Sequence, residues 1–227
     1  MRFLGKAEYQ QLIEGATLLR SDNFGPKVYQ APDGRVIKLF RVKRWWSSSM
    51  LYPYSLRFLR NTRRLRALGV PCVEVEVEDV FYCHAIRRHG VIYRRLDGTP
   101  LDELLGQDGC AVRQLYVDYA RFIATLHKNR IYFRSLHPGN ILLTPGDGFG
   151  LIDVADMRFP ILALSLGQRR RNFQHLLRSV EFRDALGRHP AEAFIDGYLE
   201  ESGLGSDDRE NLRQHLVADF RVAQQAS

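Results

Sequence analysis

The chain has 227 residues, 45% of them apolar and 26% charged, with a formal net charge of +7. That length suits one large domain or a compact two-part unit, with enough apolar residues for a sizeable core. Without a run of about 18 apolar residues no membrane-spanning helix is expected, the opening ten residues lack the apolar core of a signal peptide, and Cys72, Cys83 and Cys110 are too widely spaced for a metal pattern and read as reduced thiols.

Residues 1–15 read as a weakly amphipathic lead-in. From Ala16 the pattern turns to strands. Ala16–Ser21 and Lys27–Ala31 flank the turn-rich Asp22-Asn23-Phe24-Gly25-Pro26. Ala31-Pro32-Asp33-Gly34 then makes a tight turn before Arg35–Phe40. A three-strand meander is predicted, with Lys38 inside its third strand. Val42–Tyr54 reads as an irregular insertion. Its adjacent Trp45 and Trp46, beside Arg41, Lys43 and Arg44, suit a membrane interface, where indoles and cations are favoured, and equally suit a packing role with one indole in the core.

Ser55–Leu68 has helical spacing and is stopped by Gly69-Val70-Pro71. From Arg41 to Arg66 there are eight Lys or Arg residues and no Asp or Glu. Such a stretch is either a solvated helix face or a patch that attracts phosphates of anionic lipid, phosphorylated glycan or nucleic acid. Val73–Val80 alternates valine and acid, the pattern of a strand with one apolar and one acidic face, so Glu74, Glu76 and Glu78 offset the basic stretch. Phe81–Arg88 and Gly90–Leu96 predict two more strands. Asp97-Gly98-Thr99-Pro100 then leads into a helix over Pro100–Leu105.

The clearest helix is Ala111–Lys128, where Val112, Leu115, Tyr116, Tyr119, Ala120, Ile123 and Leu126 recur at spacings of three and four. Beyond residue 156 come Leu164–Arg178, containing Arg169-Arg170-Arg171, and helices around Ala191–Leu199 and Asp207–Ala223, the last capped by Asp207 and Asp208.

The chemistry concentrates between Leu126 and Asp156. Asn140 ends a loop, and Asp153 follows thirteen residues later across a hairpin turned at Pro145-Gly146-Asp147-Gly148. An amide holds a hard cation without charge repulsion and a carboxylate adds the anionic oxygen; Mg²⁺ prefers such ligands together with phosphate and water.

Read in order, Leu126-His127, then Phe133-Arg134-Ser135-Leu136-His137-Pro138-Gly139-Asn140, then Ile152-Asp153-Val154-Ala155 resembles the catalytic core of the protein-kinase-like superfamily. The resemblance implies an α+β, two-lobed protein-kinase-like fold: a small antiparallel-sheet N-lobe over 1–96 and a mainly helical C-lobe over 97–227. It implies ATP and Mg²⁺ as cofactors, Lys38 on the nucleotide phosphates, Gly25 in the turn that covers them, and the backbone around Arg95–Asp97 on an adenine edge. Asn140 and Asp153 would be the metal ligands; Arg134 would brace the loop or the segment after Asp153, and His137 or Arg134 would meet the transferred phosphoryl group.

Two positions depart from the family. Ser135 stands where the catalytic-base aspartate is expected, and Asn61 where a helical glutamate pairs with the strand lysine. Loss of general-base help slows transfer by roughly 10²–10⁴, about 3–5 kcal/mol of barrier, although phosphoryl transfer rests mostly on positioning and charge.

The short, basic, helical C-terminal part is similar to the bacterial lipopolysaccharide-core sugar kinases, the heptose and Kdo kinases. That likeness implies an atypical sugar kinase of inner-core biosynthesis with a phosphorylated or anionic glycolipid acceptor. It also implies a cytoplasmic location, peripheral on the inner face of the inner membrane, with Arg41–Arg66 toward an anionic surface. The alternative is a pseudokinase, a nucleotide-binding or regulatory module. Nucleic acid is not expected as a partner, since no motif for it accompanies the basic residues.

Overall fold

The computed structural model describes residues 1–41, 53–107, 109–146 and 148–225. The insertion with Trp45 and Trp46, the first part of the Arg41–Arg66 stretch and Asp147 of the hairpin turn lie, wholly or for the most part, outside the described residues. The protein is mixed α+β and forms two compact units, residues 1–96 with 153–156, and residues 97–152 with 157–227.

The first unit is built on a six-stranded mixed sheet. Its strands are β1 (Arg2–Leu4), β2 (Thr17–Asp22), β3 (Gly25–Gln30), β4 (Val36–Arg41), β5 (Val80–Cys83) and β6 (Arg88–Tyr93), in the order β1-β5-β6-β4-β3-β2. The meander β2–β3–β4 forms where its turn residues require, and β1 pairs parallel with β5. The first fifteen residues are therefore more than a lead-in: they supply an edge strand and helix α1 (Lys6–Leu12).

Alternation along β4 sorts the core. Ile37 and Leu39 pack with Leu4, Tyr9, Phe81, Cys83 and Ile92 on one face. Lys38 and Phe40 turn to the other, where helix α2 (Tyr54–Ala67) brings Phe58; its ring centroid lies 5.9 Å from that of Phe40 and 5.5 Å from that of Tyr93. Gly90, opposite Phe81 in the ladder, is required there, because a Cβ would stand 2.2 Å from Phe81 Cζ.

One expected strand is absent. Val73–Asp79 makes no ladder beyond an isolated bridge between Glu74 and Arg94, because residues 76–79 close into a turn in which the Glu76 amide donates to Asp79 Oδ2 and the Asp79 amide to the Glu76 carbonyl. The alternation still directs burial: Val73 and Val75 are buried while Val77 is exposed. The neighbouring acids meet the basic helix face, with Arg63 3.2 Å from Glu76 and Arg66 3.6 Å from Glu74. These are exposed pairs of small energetic weight.

The second unit has a three-stranded sheet, in the order β7 (Thr99–Pro100), β8 (Ile141–Leu143), β9 (Phe149–Leu151). Around it are the helices α3 (Leu101–Leu105), α4 (Cys110–Lys128), α5 (Leu166–Leu176), α6 (Val180–Arg188), α7 (Ala191–Glu201) and α8 (Ser206–Gln225). The periodic face of α4 buries Tyr116, Tyr119 and Ile123; the two tyrosines meet Phe182 and Phe194 in an aromatic core completed by Phe173, Tyr198 and Phe220.

Helix α6 was not legible in the sequence; Ser179 caps it by accepting from the Phe182 amide. All three cysteines are free, Cys72 and Cys83 buried and Cys110 exposed. Among the described residues no helix is long and apolar enough to cross a membrane.

Candidate functional site

In the first unit Lys38 emerges from β4 between the Phe40 and Phe58 rings, its Nζ 5.9 and 5.8 Å from their centroids. Its side chain is only 14% exposed, and Nζ lies 2.6 Å from Asp153 Oδ1. Burial pushes the Lys38 ammonium below the usual lysine range, and the Asp153 carboxylate works against that by favouring the charged form. Asp153 is itself 42% exposed and adopts a left-handed backbone, φ +54°, a conformation that aspartate tolerates better than most residues. One carboxylate oxygen thus holds the amine while the side chain stays open to solvent.

The Asp153–Asp156 segment is fixed in that unit by Asn61. This side chain is fully buried on α2, and its Nδ2 donates to the Val154 carbonyl at 2.7 Å. The position read as a missing acidic partner of Lys38 is a backbone anchor instead, and the carboxylate that reaches the lysine comes from the segment Asn61 secures. An amide suits this position, because a carboxylate in its place would face a carbonyl oxygen with no proton to donate.

Gly25 sits at φ +104° in the tight turn between β2 and β3, paired with Asp22. The turn is shaped by the Phe24 amide donating to Asp22 Oδ1 and by the Arg88 guanidinium, which donates to the carbonyls of Phe24 and Pro26. It is a short clamped hairpin rather than a glycine-rich loop. Asp97 is exposed at the first position of the second unit.

In the second unit the loop from Arg134 to Asn140 closes on Asn140. Its Nδ2 donates to the Ser135 carbonyl and to His137 Nε2, both at 3.0 Å. The Asn140 amide bonds the His137 carbonyl, and the Asn140 carbonyl accepts from Ile152. With both side-chain hydrogens committed, Oδ1 is the atom Asn140 has left for a cation. Because His137 Nε2 accepts from Asn140, a neutral ring there carries its proton on Nδ1. The loop from Arg134 to Asn140 contains no carboxylate, so Ser135 is not backed by an acid from its own loop.

A buried polar chain holds the start of this loop; of its members the sequence pointed to His127 and Arg169 but not to Tyr198 or Asn172. Arg169 donates to the Tyr198 hydroxyl at 3.1 Å; that hydroxyl bonds His127 Nδ1 at 2.8 Å; His127 Nε2 bonds Asn172 Oδ1 at 3.1 Å. Asn172 grips both backbone groups of Phe133. Burial pushes His127 down to about 3, a shift the Asn172 bond opposes and the nearby Arg169 charge reinforces. The ring is therefore neutral, donating from Nε2 to the Asn172 oxygen and accepting on Nδ1 from Tyr198.

The basic run at 169–171 divides by the helical turn. Arg169 is buried in the chain just described, and Arg170 makes a two-pronged pair with Asp219 at 2.7 and 2.8 Å. Arg171 alone is exposed to solvent.

Asn140 Oδ1 in the second unit and the Asp153 carboxylate in the first are each an oxygen donor of the kind Mg²⁺ takes. No group of three or more His, Cys, Asp or Glu that could hold a metal occurs among the described residues. No family model matches the chain, and no curated protein is similar to it at a significant level.

Proposed function

We propose that the chain is an ATP- and Mg²⁺-dependent phosphotransferase of the protein-kinase-like superfamily, its two units being the lobes of that fold. It would act in lipopolysaccharide inner-core biosynthesis on an anionic glycolipid at the cytoplasmic face of the inner membrane. The observation that carries the reading is the ion pair between Lys38 and Asp153. A half-exposed carboxylate beside an otherwise buried ammonium offers both charges that a metal-bound polyphosphate needs. Lys38 would hold its phosphate oxygens and Asp153 its cation. Asn140 would supply its amide oxygen to the metal, His137 its Nδ1 proton to the transferred group, and the backbone before Asp97 an edge for adenine. Mg²⁺, when bound, neutralises the phosphate charge that builds during transfer.

A second reading, a pseudokinase that binds nucleotide without consuming it, is favoured by Ser135. A hydroxyl cannot take the acceptor proton as a carboxylate does, and the substitutes the sequence offers are His137 of the same loop and Asp156 rather than a carboxylate beside Ser135. Incubation with ATP, Mg²⁺ and a deep-core lipopolysaccharide acceptor, followed by mass spectrometry of the acceptor, decides between the two. The enzyme reading expects one added phosphoryl group and a rate that rises by roughly 10² or more in Ser135→Asp. No transfer by either protein, under conditions where nucleotide binds, leaves the binding module.

A further inference from the structure

The second unit holds a cavity of about 490 Å³ lined by four arginines, Arg134, Arg158, Arg171 and Arg178, together with His175, Gln174 and Tyr132. Three separate stretches of chain meet there. Tyr132 and Arg158 exchange backbone hydrogen bonds at 2.9 Å in an isolated bridge, which fixes Arg158 beside the strand-like entry to the Arg134 loop. Arg171, His175 and Arg178 follow at helical spacing, so one stripe of α5 and its C-terminal turn faces the cavity. The C-terminal end of a helix favours cations, which lowers the cost of gathering them.

Burial, and then the charges of Arg178, Arg134 and Arg171, push His175 below the usual histidine range. Arg134, Arg171 and Arg178 line the same cavity as this imidazole. Among the described residues none of the four arginines has an acidic partner. Gln174, also on the wall, turns its amide to Asp219, whose charge Arg170 already matches. Several exposed arginines elsewhere are paired with acids, among them Arg63, Arg121 and Arg213. Four left unmatched around one hollow are a recognition surface awaiting a polyanion.

We propose that this cavity is a binding site for a phosphomonoester, with Arg158, Arg171 and Arg178 gripping the phosphoryl oxygens. Planar guanidinium forks match a dianionic phosphate two oxygens at a time, and the volume is that of a site for a small organic ligand rather than a bare ion. The site deepens the proposed function, on which its role as the acceptor's phosphate anchor rests; its existence does not depend on nucleotide.

The test follows the His175 ring signal by NMR in the full chain, without nucleotide, during titration with inorganic phosphate against chloride of equal ionic strength. A saturable shift with phosphate alone is expected, with affinity lowered at least roughly tenfold in Arg171→Gln/Arg178→Gln. Vesicles of phosphatidylcholine with phosphatidic acid form a second arm. Retention of the unaltered protein, but not of the double variant, assigns the phosphate to a lipid; phosphate binding without vesicle retention assigns it to a soluble ester. Identical responses to phosphate and chloride, or a double variant that binds as well as the unaltered protein, overturn the site. Because nucleotide is absent throughout, a chain that fails to bind ATP can still pass or fail here.

Discussion

Lys38→Met protein is expected to bind ATP with Mg²⁺ on the order of 100-fold more weakly than the unaltered chain, while its unfolding midpoint stays close. The first half follows from removing a cation that would make charge-assisted bonds to phosphate. The second follows from where Lys38 sits. Its stem lies between Phe40 and Phe58, where a methionine of similar length fits. Burial already disfavours the ammonium, so its loss relieves a desolvation cost. Because the folded-state value is depressed, that cost is present at neutral pH and fades as pH rises toward the ordinary lysine value, the folded chain losing its proton first. Asp153, left behind, is 42% exposed and keeps its hydration. Titration calorimetry beside urea unfolding checks both halves; unchanged affinity removes Lys38 from the nucleotide site.

The second large effect concerns pH. His127 is buried and neutral, pushed down to about 3 from an ordinary 6.5. Below 6.5 the unfolded chain takes up a proton that the folded chain refuses until about pH 3. The stability contributed by the neutral ring is therefore complete above about pH 6.5 and is lost as pH falls through that window. Between pH 7 and pH 5 this amounts to about 2 kcal/mol. The physical cause is local: protonated Nδ1 would point a hydrogen at the Tyr198 hydroxyl proton, beside the Arg169 cation. His127→Gln protein, less stable at pH 7, should lose about 2 kcal/mol less than the unaltered protein over that interval, read from urea curves at both pH values. Equal losses would mean that His127 titrates normally and that the chain to Phe133 does not hold it. His89 and His175 are also pushed down, so the difference between the two proteins, rather than either slope, is the readout.

What the sequence made legible was local. The meander strands are set by turn residues at Asp22–Gly25 and Ala31–Gly34, and α4 by an uninterrupted apolar stripe; both signals act within a few residues. The loop ending at Asn140 and the hairpin after it were readable as a string because their chemistry lies in consecutive residues. Val73–Asp79 misled because alternation reports which side chains are buried, and an extended segment buries alternate residues whether or not a neighbouring strand pairs with it.

Asn61 and Asn172 were opaque for a different reason. Each is an amide that satisfies a backbone group far away in the chain, Val154 and Phe133, and nothing local announces such a partner. Arg169, Arg170 and Arg171 are adjacent in sequence, yet a helix turns each neighbour by about 100°, so one arginine is core, one is paired and one is exposed. The cavity of unmatched arginines draws on residues 132–134, 158 and 171–178, a grouping that only the packing of α5 against the 132–158 bridge creates.

The central claim is that Lys38, Asp153 and Asn140 serve a metal-bound nucleotide. Calorimetric titration of the chain with ATP, in Mg²⁺ and in EDTA, tests it most directly when repeated with Asp153→Asn and Asn140→Ala. Mg²⁺ should tighten ATP binding in the unaltered protein, and that gain should vanish in Asp153→Asn and shrink in Asn140→Ala. No heat of binding, or the same affinity with and without Mg²⁺, would contradict the account.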